Sequence, residues 1–368
     1  MPAPPVFCVV IWGRIRYNES IVRIFRQWQC DGKGRCCMKK ILLLATGGTI
    51  ASVKSDEGLV PAATPAQLLA ALPDAQKLCR LEARQLFNLD STNFQPEHWL
   101  ALAAEIHRCY REYDGFIITH GTDTMAYTAA ALSYLVQNSE KPIVLTGAQR
   151  PISDPVTDAK KNLLDSIRFA CREQSQGVYI VFDGKAILGT RARKVRTKSY
   201  SAFESINYPV AAFIDERRIL QYVDTEDQAQ PVTFYNRLHP KVFVLKLIPG
   251  IEPEVLEYLS GHYDAIVIES YGVGGVPFYG QRNFLEKLQA LTESGKIVVI
   301  ATQVMLEGSD AELYEVGFKA INRYNVLQAY DMTVEAAAVK LMWIMGQTRD
   351  FAQVKRLFYR PIHHDVML

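Results

Sequence analysis

The feature that most limits the possible folds is an alternation of two patterns from Met38 onward. Short runs that are continuously apolar and rich in β-branched residues lie at residues 41–45, 115–119, 143–146 and 178–182. Longer stretches with amphipathic, helical spacing separate them, at residues 97–111, 125–137 and 158–172. Buried strands that alternate with helices of this length predict a parallel sheet covered by helices on both faces.

The same alternation recurs in the second half of the chain. Strand-like runs lie at residues 242–247, 265–270 and 297–301, and helical stretches near residues 254–259, 282–292 and 334–345. The polar stretch 224–239, which contains Pro231, is the best candidate for a linker. We therefore predict an α/β fold with two doubly wound domains: a larger N-terminal, flavodoxin/Rossmann-like domain over residues 38–230 and a smaller C-terminal parallel-sheet domain over residues 240–368.

Positive charge and cysteines are concentrated in the first 37 residues. Of the 41 basic and 39 acidic side chains, six and two lie there, which leaves 35 basic and 37 acidic side chains elsewhere. A slightly acidic body argues against a nucleic-acid binder, and no apolar run approaches the roughly 20 residues of a membrane span. Outside this segment only Cys79, Cys109 and Cys171 remain. That pattern argues for a reducing compartment and against a disulfide scaffold or a zinc site.

The N-terminal segment has the features of an extension. Its apolar stretch, residues 6–12, is short, lacks a preceding positive charge and is followed at once by arginines, unlike a secretory signal. An organellar address is a second interpretation, because the segment is rich in arginine. The run MKKILLL at residues 38–44 is typical of a chain start that enters a buried strand. We therefore expect a cytoplasmic protein in which residues 1–37 lie outside the fold and can be deleted without loss of activity.

Small polar residues follow several of the predicted strands. TGGTIAS at residues 46–52, HGTDT at 120–124 and TGAQ at 146–149 each follow an apolar run, and NLDSTN at 88–93 follows an alternating stretch. Ligands of open α/β sheets bind beyond the carboxyl ends of the strands. We therefore expect these segments to meet along one edge and form a site.

Most standard catalytic signatures are absent from the sequence. It has no nucleophile elbow, zinc-protease helix, phosphate-binding loop or complete dinucleotide-binding glycine motif, and its seven histidines lack ligand spacing. We therefore expect neither a metal nor a cofactor.

The remaining candidates are hydroxyl nucleophiles and a carboxylate. Thr49 follows two glycines, which permit an unusual turn and let a ligand approach the backbone. A plain strand-to-loop turn is the alternative interpretation. Thr122 and Asp123 precede the helix that begins near residue 125, where Asp123 would either cap the helix or bind a substrate ammonium group.

TGGTI at residues 46–50 together with HGTDT at residues 120–124 resembles the two-part signature of the L-asparaginase family, in particular its bacterial and archaeal type I (cytoplasmic) branch. Further stretches resemble the family in the same order: DST at 90–92, FESINY at 203–208, SYGVGG at 270–275 and DMTVEA at 331–336. The resemblance covers about residues 38–357. It implies hydrolysis of L-asparagine to L-aspartate and ammonia without a metal or a cofactor, with catalysis in the N-terminal domain.

The resemblance also implies catalytic roles by position. Thr49 corresponds to the nucleophile that forms a β-acyl-enzyme, and Thr122 to the second catalytic threonine. Asp123 corresponds to the carboxylate that binds the α-amino group of the substrate. The family lysine corresponds best to Lys194, with Lys198 as its competitor, and the other basic residues of the run 191–198 are expected to be solvated.

The resemblance also implies that a second group of residues binds the substrate. Ser91 and Thr92 match the pair that holds the substrate's α-carboxylate, and we include Asp90, which precedes them. Backbone N–H groups near Gly48, Thr122 or Ala148 are candidate donors to the developing oxyanion.

The sequence departs from the family pattern at several places. Leu59 stands where family members usually carry a flap tyrosine, so we expect closure to act by excluding water or another tyrosine to take its place. Arg193, Glu269 and Val304 do not match the allosteric asparagine site of some members, so we expect no cooperativity. Residues 358–368 do not resemble the usual family ending.

Alternative functions follow from the same resemblance. The chain could be a glutaminase-asparaginase, or the amidase subunit of a tRNA-dependent amidotransferase, although 37 residues are too few for the extra N-terminal domain that such a subunit usually carries. A non-catalytic small-ligand binding protein of the same fold is a remote alternative. Family members form dimers or tetramers in which a neighbour's smaller domain completes each site. We therefore expect a homodimer or homotetramer, with residues 270–275 as the donated loop, and no nucleic-acid or membrane partner.

Overall fold

The computed structural model describes residues 29–30, 36–55, 58–61, 64–224 and 230–367. The chain divides into two compact units, residues 1–38 and 39–368. In the first unit, the strands Gln29–Cys30 and Cys36–Cys37 pair in antiparallel orientation. Most of the predicted extension lies outside the described residues, so its place outside the fold stays a prediction.

The N-terminal half of the second unit forms a sheet of eight strands. In spatial order they are Ile219–Gln221, Ala212–Ile214, Lys185–Leu188, Gly177–Phe182, Pro142–Thr146, Gly115–Thr119, Lys40–Gly47 and Arg80–Leu89. The last five are mutually parallel, which confirms the predicted parallel core of the sheet.

Each of the first three strands in this order is antiparallel to the strand beside it, which the sequence pattern did not predict. The chain reverses at Asp183 and Gly184, which both have positive φ, 48° and 74°. Such a two-residue turn places Phe182 directly opposite Lys185 in a tight hairpin. The large sheet is therefore mixed rather than purely parallel, because a hairpin extends it beyond the strand Gly177–Phe182.

The parallel strands are continuously apolar because both faces of the sheet are covered. In the strand Lys40–Gly47, Leu42 and Leu44 pack in one hydrophobic cluster, and Ile41 and Leu43 in another. This alternation is the two-residue period of a strand. The helices Pro96–Cys109 and Met125–Leu135 cover one face, and Pro65–Ala70 and Ala159–Ala170 cover the other.

The C-terminal half contains a smaller sheet of four parallel strands, as expected. In spatial order they are Val242–Lys246, Ala265–Ser270, Ile297–Thr302 and Leu327–Gln328. Its helices are Val255–Ser260, Phe284–Glu293, Glu315–Arg323, Val334–Gln347 and Phe351–Tyr359. The helix Val334–Gln347 packs against Met125–Leu135 of the large domain, and both contribute to one hydrophobic cluster.

Among the described residues of the second unit, three pairs of short strands lie outside the two main sheets. They are Ser52–Ser55 with Gly58–Pro61, Ala192–Lys194 with Phe203–Ser205, and Val136–Gln137 with Thr233–Phe234. The last pair fastens part of the predicted linker to the large domain. The split between residues 230 and 240 stays a prediction. No helix in the described part of the chain combines the length and apolar character needed to cross a membrane.

Candidate active site

The strand Lys40–Gly47 ends in a turn that only glycine accommodates. Gly47 and Gly48 have φ values of 105° and 79°, which side chains of L-residues rarely adopt. A Cβ atom on Gly48 would lie 2.4 Å from the backbone nitrogen of Gly121. Thr49 follows in the short 3-10 helix Thr49–Ala51, and its side chain is partly exposed. The residues that precede Thr49 and Thr122 are therefore in direct backbone contact.

A second close approach joins this pair to the segment after the strand Arg80–Leu89. A Cβ atom on Gly121 would lie 2.5 Å from the Ser91 hydroxyl oxygen. The Thr124 hydroxyl donates a hydrogen bond of 2.7 Å to the Ser91 carbonyl oxygen. Three of the predicted polar segments thus meet at the carboxyl edge of the sheet, as the strand order requires.

Lys194 reaches this edge from the strand Ala192–Lys194. Its ammonium donates hydrogen bonds of 2.7 Å to the Thr122 hydroxyl and of 2.7 Å to the Asp123 carboxylate. The Lys194 side chain is 18% exposed and that of Asp123 57%, so the lysine is shielded while the carboxylate is open to a ligand. Lys198, its competitor in the sequence, is exposed.

Asp90, Ser91 and Thr92 form a compact turn at the same edge. The Asp90 carboxylate accepts hydrogen bonds from the backbone N–H and the hydroxyl of Thr92, at 2.8 and 2.7 Å. Asp90 is thereby the N-cap of the 3-10 helix Ser91–Asn93. Ser91 is buried and Thr92 exposed. Asp90 thus holds the turn together, whereas Ser91 lies against the Gly121 segment.

The fourth polar segment contributes a residue that the sequence analysis did not select. The Thr122 hydroxyl donates a hydrogen bond of 3.4 Å to the side-chain oxygen of Gln149, whose amide donates to the Ser199 carbonyl. Ala148 is buried, so only its backbone is available to a ligand. The sequence signal that could have identified Gln149 is its position in the short polar segment that follows the buried strand Pro142–Thr146 and contains Gly147.

Asp158 holds Gln149 in place. Its buried carboxylate accepts hydrogen bonds from the backbone N–H groups of Gln149 and Arg150, at 2.9 and 3.1 Å, and from the Asn162 side chain. The sequence pattern places Asp158 at the start of a helix. Its carboxylate instead turns back to the loop, where it satisfies two backbone N–H groups.

His120 is buried beneath the loop that carries Thr122 and helps to hold it in place. Burial lowers the pKa of His120 to about 4, so the ring is neutral at pH 7. Its Nδ1 lies 2.7 Å from the Gly121 carbonyl oxygen and its Nε2 lies 3.0 Å from the Thr128 hydroxyl. A neutral ring fixed at both nitrogens holds the loop without adding charge beside Lys194.

Comparison with known proteins decides the family. The family model described as "Asparaginase, N-terminal" matches residues 40–226, and the one described as "Glutaminase/Asparaginase C-terminal domain" matches residues 241–358. The L-asparaginase of Thermococcus kodakarensis is 41% identical over 329 residues, which cover 89% of this chain and 99% of that protein. The chain belongs to the asparaginase family.

Other members of the asparaginase family show the range of the similarity. A glutamyl-tRNA(Gln) amidotransferase subunit of Pyrococcus abyssi is 33% identical over 339 residues, which cover 88% of this chain and 76% of that protein. The crystal structure of L-asparaginase I from Vibrio cholerae matches with a TM-score of 0.82 at 30% identity, covering 90% of this chain and 100% of that chain. The predicted recognition and the two-domain fold are thus confirmed.

Two departures from the asparaginase pattern have a defined place in the structure. Leu59 lies opposite Lys54 in the hairpin of Ser52–Ser55 and Gly58–Pro61, directly after the Thr49 turn. Arg193 lies 3.6 Å from the Glu335 carboxylate, whose pKa is raised by burial and by the nearby charge of Glu269 although Arg193 opposes this. The absence of cooperativity stays a prediction.

Proposed function

We propose that this protein hydrolyses L-asparagine to L-aspartate and ammonia, with Thr49 as the nucleophile. The observation that supports this best is that the Lys194 ammonium donates hydrogen bonds to both Thr122 and Asp123. The residues just before Thr49 and Thr122, Gly48 and Gly121, are in backbone contact, which brings Thr49 close to this group. A nucleophile, a proton-transfer pair and a carboxylate for an ammonium group then lie within the reach of one small amino acid.

In this proposal, the Thr49 hydroxyl attacks the side-chain amide carbon. The carbonyl becomes an oxyanion, and the amide nitrogen takes up the proton that Thr49 has lost. Collapse of the oxyanion then breaks the C–N bond, which releases ammonia and leaves a β-aspartyl ester on Thr49. Water then attacks the ester, and L-aspartate leaves as the hydroxyl is regenerated. Backbone N–H groups at Gly48 and Ala148 are the proposed donors to the oxyanion, each worth about 3 kcal/mol where such donors have been removed.

Lys194 and Thr122 are proposed to move the protons. A threonine hydroxyl is a weak nucleophile and needs a base within hydrogen-bonding distance. When the substrate ammonium binds Asp123, it brings a second positive charge beside Lys194 and takes over its carboxylate partner. In its neutral form, the Lys194 amine accepts the Thr49 proton through Thr122.

The Ser91 turn is proposed to hold the substrate's α-carboxylate. Ser91 lies against Gly121. Thr92 is exposed, and its hydroxyl donates a hydrogen bond to the Asp90 carboxylate. On binding, that hydroxyl and the N–H groups of the 3-10 turn would donate to the carboxylate. The α-ammonium on Asp123 and the α-carboxylate on Ser91 fix the amide beside Thr49.

The proposal is tested by ammonia release from L-asparagine. Thr49→Ala should abolish turnover while substrate still binds, since only the nucleophile is lost. Thr46→Val is the matched control, because the Thr46 hydroxyl belongs to the same motif but donates to the Thr119 carbonyl. It should lower thermal stability and leave turnover measurable. Full activity in Thr49→Ala would remove Thr49 from the mechanism.

The second candidate is an amidase that serves a tRNA-dependent amidotransferase, and the match to the amidotransferase protein of Pyrococcus abyssi favours it. A glutaminase-asparaginase is its sibling. The higher identity to the Thermococcus enzyme favours the simple asparaginase. Rates on asparagine and glutamine, with and without glutamyl-tRNA, separate the three. A rate that rises only with the tRNA would establish the amidotransferase role.

A homo-oligomer is also proposed, with the small domain as the contact surface. Several apolar side chains near the loop 270–275 are exposed: Phe278, Tyr279, Leu313, Tyr314 and Phe318. A cavity of about 280 Å³ lies among them, between Gly275 and Tyr314. Exposed apolar patches of this kind mark association surfaces. A cytoplasmic location is retained as an expectation of the family resemblance.

A further inference from the structure

The C-terminal segment, residues 360–367, is built into the body although its sequence does not resemble the family ending. The fully buried Asp365 carboxylate accepts hydrogen bonds from the Ile362 N–H at 2.9 Å and from the Tyr134 hydroxyl at 3.0 Å. It also pairs at 2.7 Å with the fully buried ammonium of Lys340. A buried carboxylate with this many partners fixes the segment in one register.

Two consecutive carbonyls of the segment accept bonds from two consecutive residues of the large domain. The Thr190 hydroxyl donates to the His363 carbonyl at 2.7 Å, and the Arg191 guanidinium donates to the His364 carbonyl. His363 and His364 have φ values of 49° and 55°, which histidine adopts only when its surroundings hold it there. The unusual backbone therefore serves to aim both carbonyls.

The Arg191 guanidinium has no exposed surface and joins two parts of the chain. Its Nη1 donates to the Asp331 carbonyl at 2.9 Å, and its Nη2 lies 2.9 Å from the Asp331 carboxylate. The same carboxylate accepts the Met367 N–H at 2.9 Å. Arg191 is thus clamped between Asp331 and the C-terminal segment, with Asp331 bound to both.

This clamp lies at the start of the strand that carries Lys194. The strand Ala192–Lys194 begins at the residue after Arg191 and pairs only with Phe203–Ser205, within a two-stranded sheet. Because a strand rises by about 3.3 Å per residue, the Cα atoms of Arg191 and Lys194 are separated by about 10 Å of strand. A strand this short has few bonds of its own, so its position depends on where it is anchored.

We propose that Arg191 is a positioning residue: clamped by the C-terminal segment and Asp331, it keeps the Lys194 amine at Thr122 and Asp123. The inference rests on the proposed function of Lys194. It assigns to the atypical C-terminal segment a role in the geometry of the site, beyond closing the core.

The test compares Arg191→Lys with Tyr134→Phe. Lysine keeps the charge but lacks the fork that contacts His364 and Asp331 together. We expect kcat for asparagine to fall by about tenfold or more, with KM within about twofold, because the base is displaced while the substrate contacts remain. Tyr134→Phe removes a bond to Asp365 in the same buried network and leaves the hydrogen bonds of Arg191 to His364 and Asp331 in place. It should lower the melting temperature and leave kcat unchanged.

Equal kcat values in Arg191→Lys and the unmodified protein, with a lowered melting temperature, would overturn the inference. If Arg191→Lys does not fold, Asp331→Asn provides the same comparison, since it keeps the acceptor for Met367 and removes the charge beside Arg191. Lys194→Met separates the two proposals. If it retains full activity, the proposed function of Lys194 fails; if it is inactive while Arg191→Lys and Asp331→Asn are fully active, only the positioning role fails.

Discussion

The parallel strands of the two main sheets end in edges that look alike in sequence and differ in structure. At the small sheet, the hydroxyls of Ser270, Thr302 and Ser309 all donate to backbone carbonyls. At the large sheet, Thr146 does the same, but the Thr122 hydroxyl accepts a bond from Lys194. A hydroxyl that donates to a neighbouring carbonyl serves the fold, whereas one that meets an ammonium group is available for proton transfer.

Two glycines with positive φ, Gly48 at the large edge and Gly272 at the small edge, also differ in their surroundings. Gly48 has no room for a Cβ atom because the backbone of Gly121 lies against it, while Gly272 has open space around it. The small edge instead exposes large apolar side chains such as Phe278 and Tyr279. We therefore propose that the same topology provides a place for chemistry at the large edge and a surface for association at the small edge. The two edges differ in their backbone contacts and in the charges beside their hydroxyl groups.

The largest effect is expected at the lysine of the large edge. Lys194→Met should lower kcat/KM for asparagine by about 10² to 10⁴, the range of general-base catalysis. Lys198→Met is the control, because Lys198 is an exposed lysine of the same basic run. Steady-state ammonia release measures both. Equal losses of kcat/KM in the two variants would mean that activity depends on the net charge of the basic run and not on the position of the Lys194 amine.

The glycine contrast predicts a larger loss of stability at the large edge than at the small edge. Gly48→Ala combines a positive φ with a backbone clash and should lower the free energy of unfolding by more than about 2 kcal/mol. Gly272→Ala has a positive φ of 49° but open space, so its cost should stay near about 1 kcal/mol. Urea titration measures both. Similar values would show that the Gly48–Gly121 contact does not constrain the fold.

The small edge is tested by breaking its apolar surface. Tyr279→Asp places a charge on a side chain that is 90% exposed, and we expect the sedimentation coefficient to fall as the oligomer dissociates. Activity should fall with it, because the loop 270–275 is proposed to complete a neighbour's site. Tyr222→Asp, at an exposed tyrosine of the large domain, should change neither. An unchanged sedimentation coefficient in Tyr279→Asp would place the interface elsewhere.

The smallest effect concerns a charge cluster beneath the small sheet. Burial would raise the pKa of Asp264, but Lys296, His239 and Arg349 outweigh it and lower the pKa to about 2. This carboxylate therefore stabilises the fold above about pH 4, and the contribution is lost as the pH falls through about 2. Asp264→Asn should cost on the order of 1 kcal/mol at pH 7 after solvent screening.

The measurement is the melting temperature of Asp264→Asn and the unmodified protein from pH 7 down to pH 2. The difference should shrink as the pH falls. A difference that does not depend on pH would mean that shape, rather than charge, makes Asp264 matter.

The strands and the edge could be predicted because their signals are local. Continuous apolar runs identified the parallel strands, and the polar residues after them identified the edge. The mixed half of the sheet was missed, although its hairpin turn at Asp183 and Gly184 is a recognised local signal. The sequence pattern predicted only parallel strands and made no prediction for the segment directly after residue 182.

The finer parts of the site depend on contacts distant in sequence. Lys194 lies in a basic run that predicts a solvated surface, and only the family resemblance singled it out before the structure brought it to Thr122. Gln149 and Asp158 were missed because their partners are set by how a loop and a helix meet. Arg191 was expected to be solvated with its neighbours, and burial against the C-terminal segment corrects this.

The central claim is that one small amino acid contacts both threonine segments at once. A crystal structure of Thr49→Ala with L-asparagine tests it most directly. We predict a single asparagine with its α-ammonium on Asp123, its α-carboxylate on the Ser91 turn and its side-chain amide between residue 49 and Thr122. An asparagine that contacts Asp123 but directs its amide away from residue 49, or that binds outside this edge, would contradict the account.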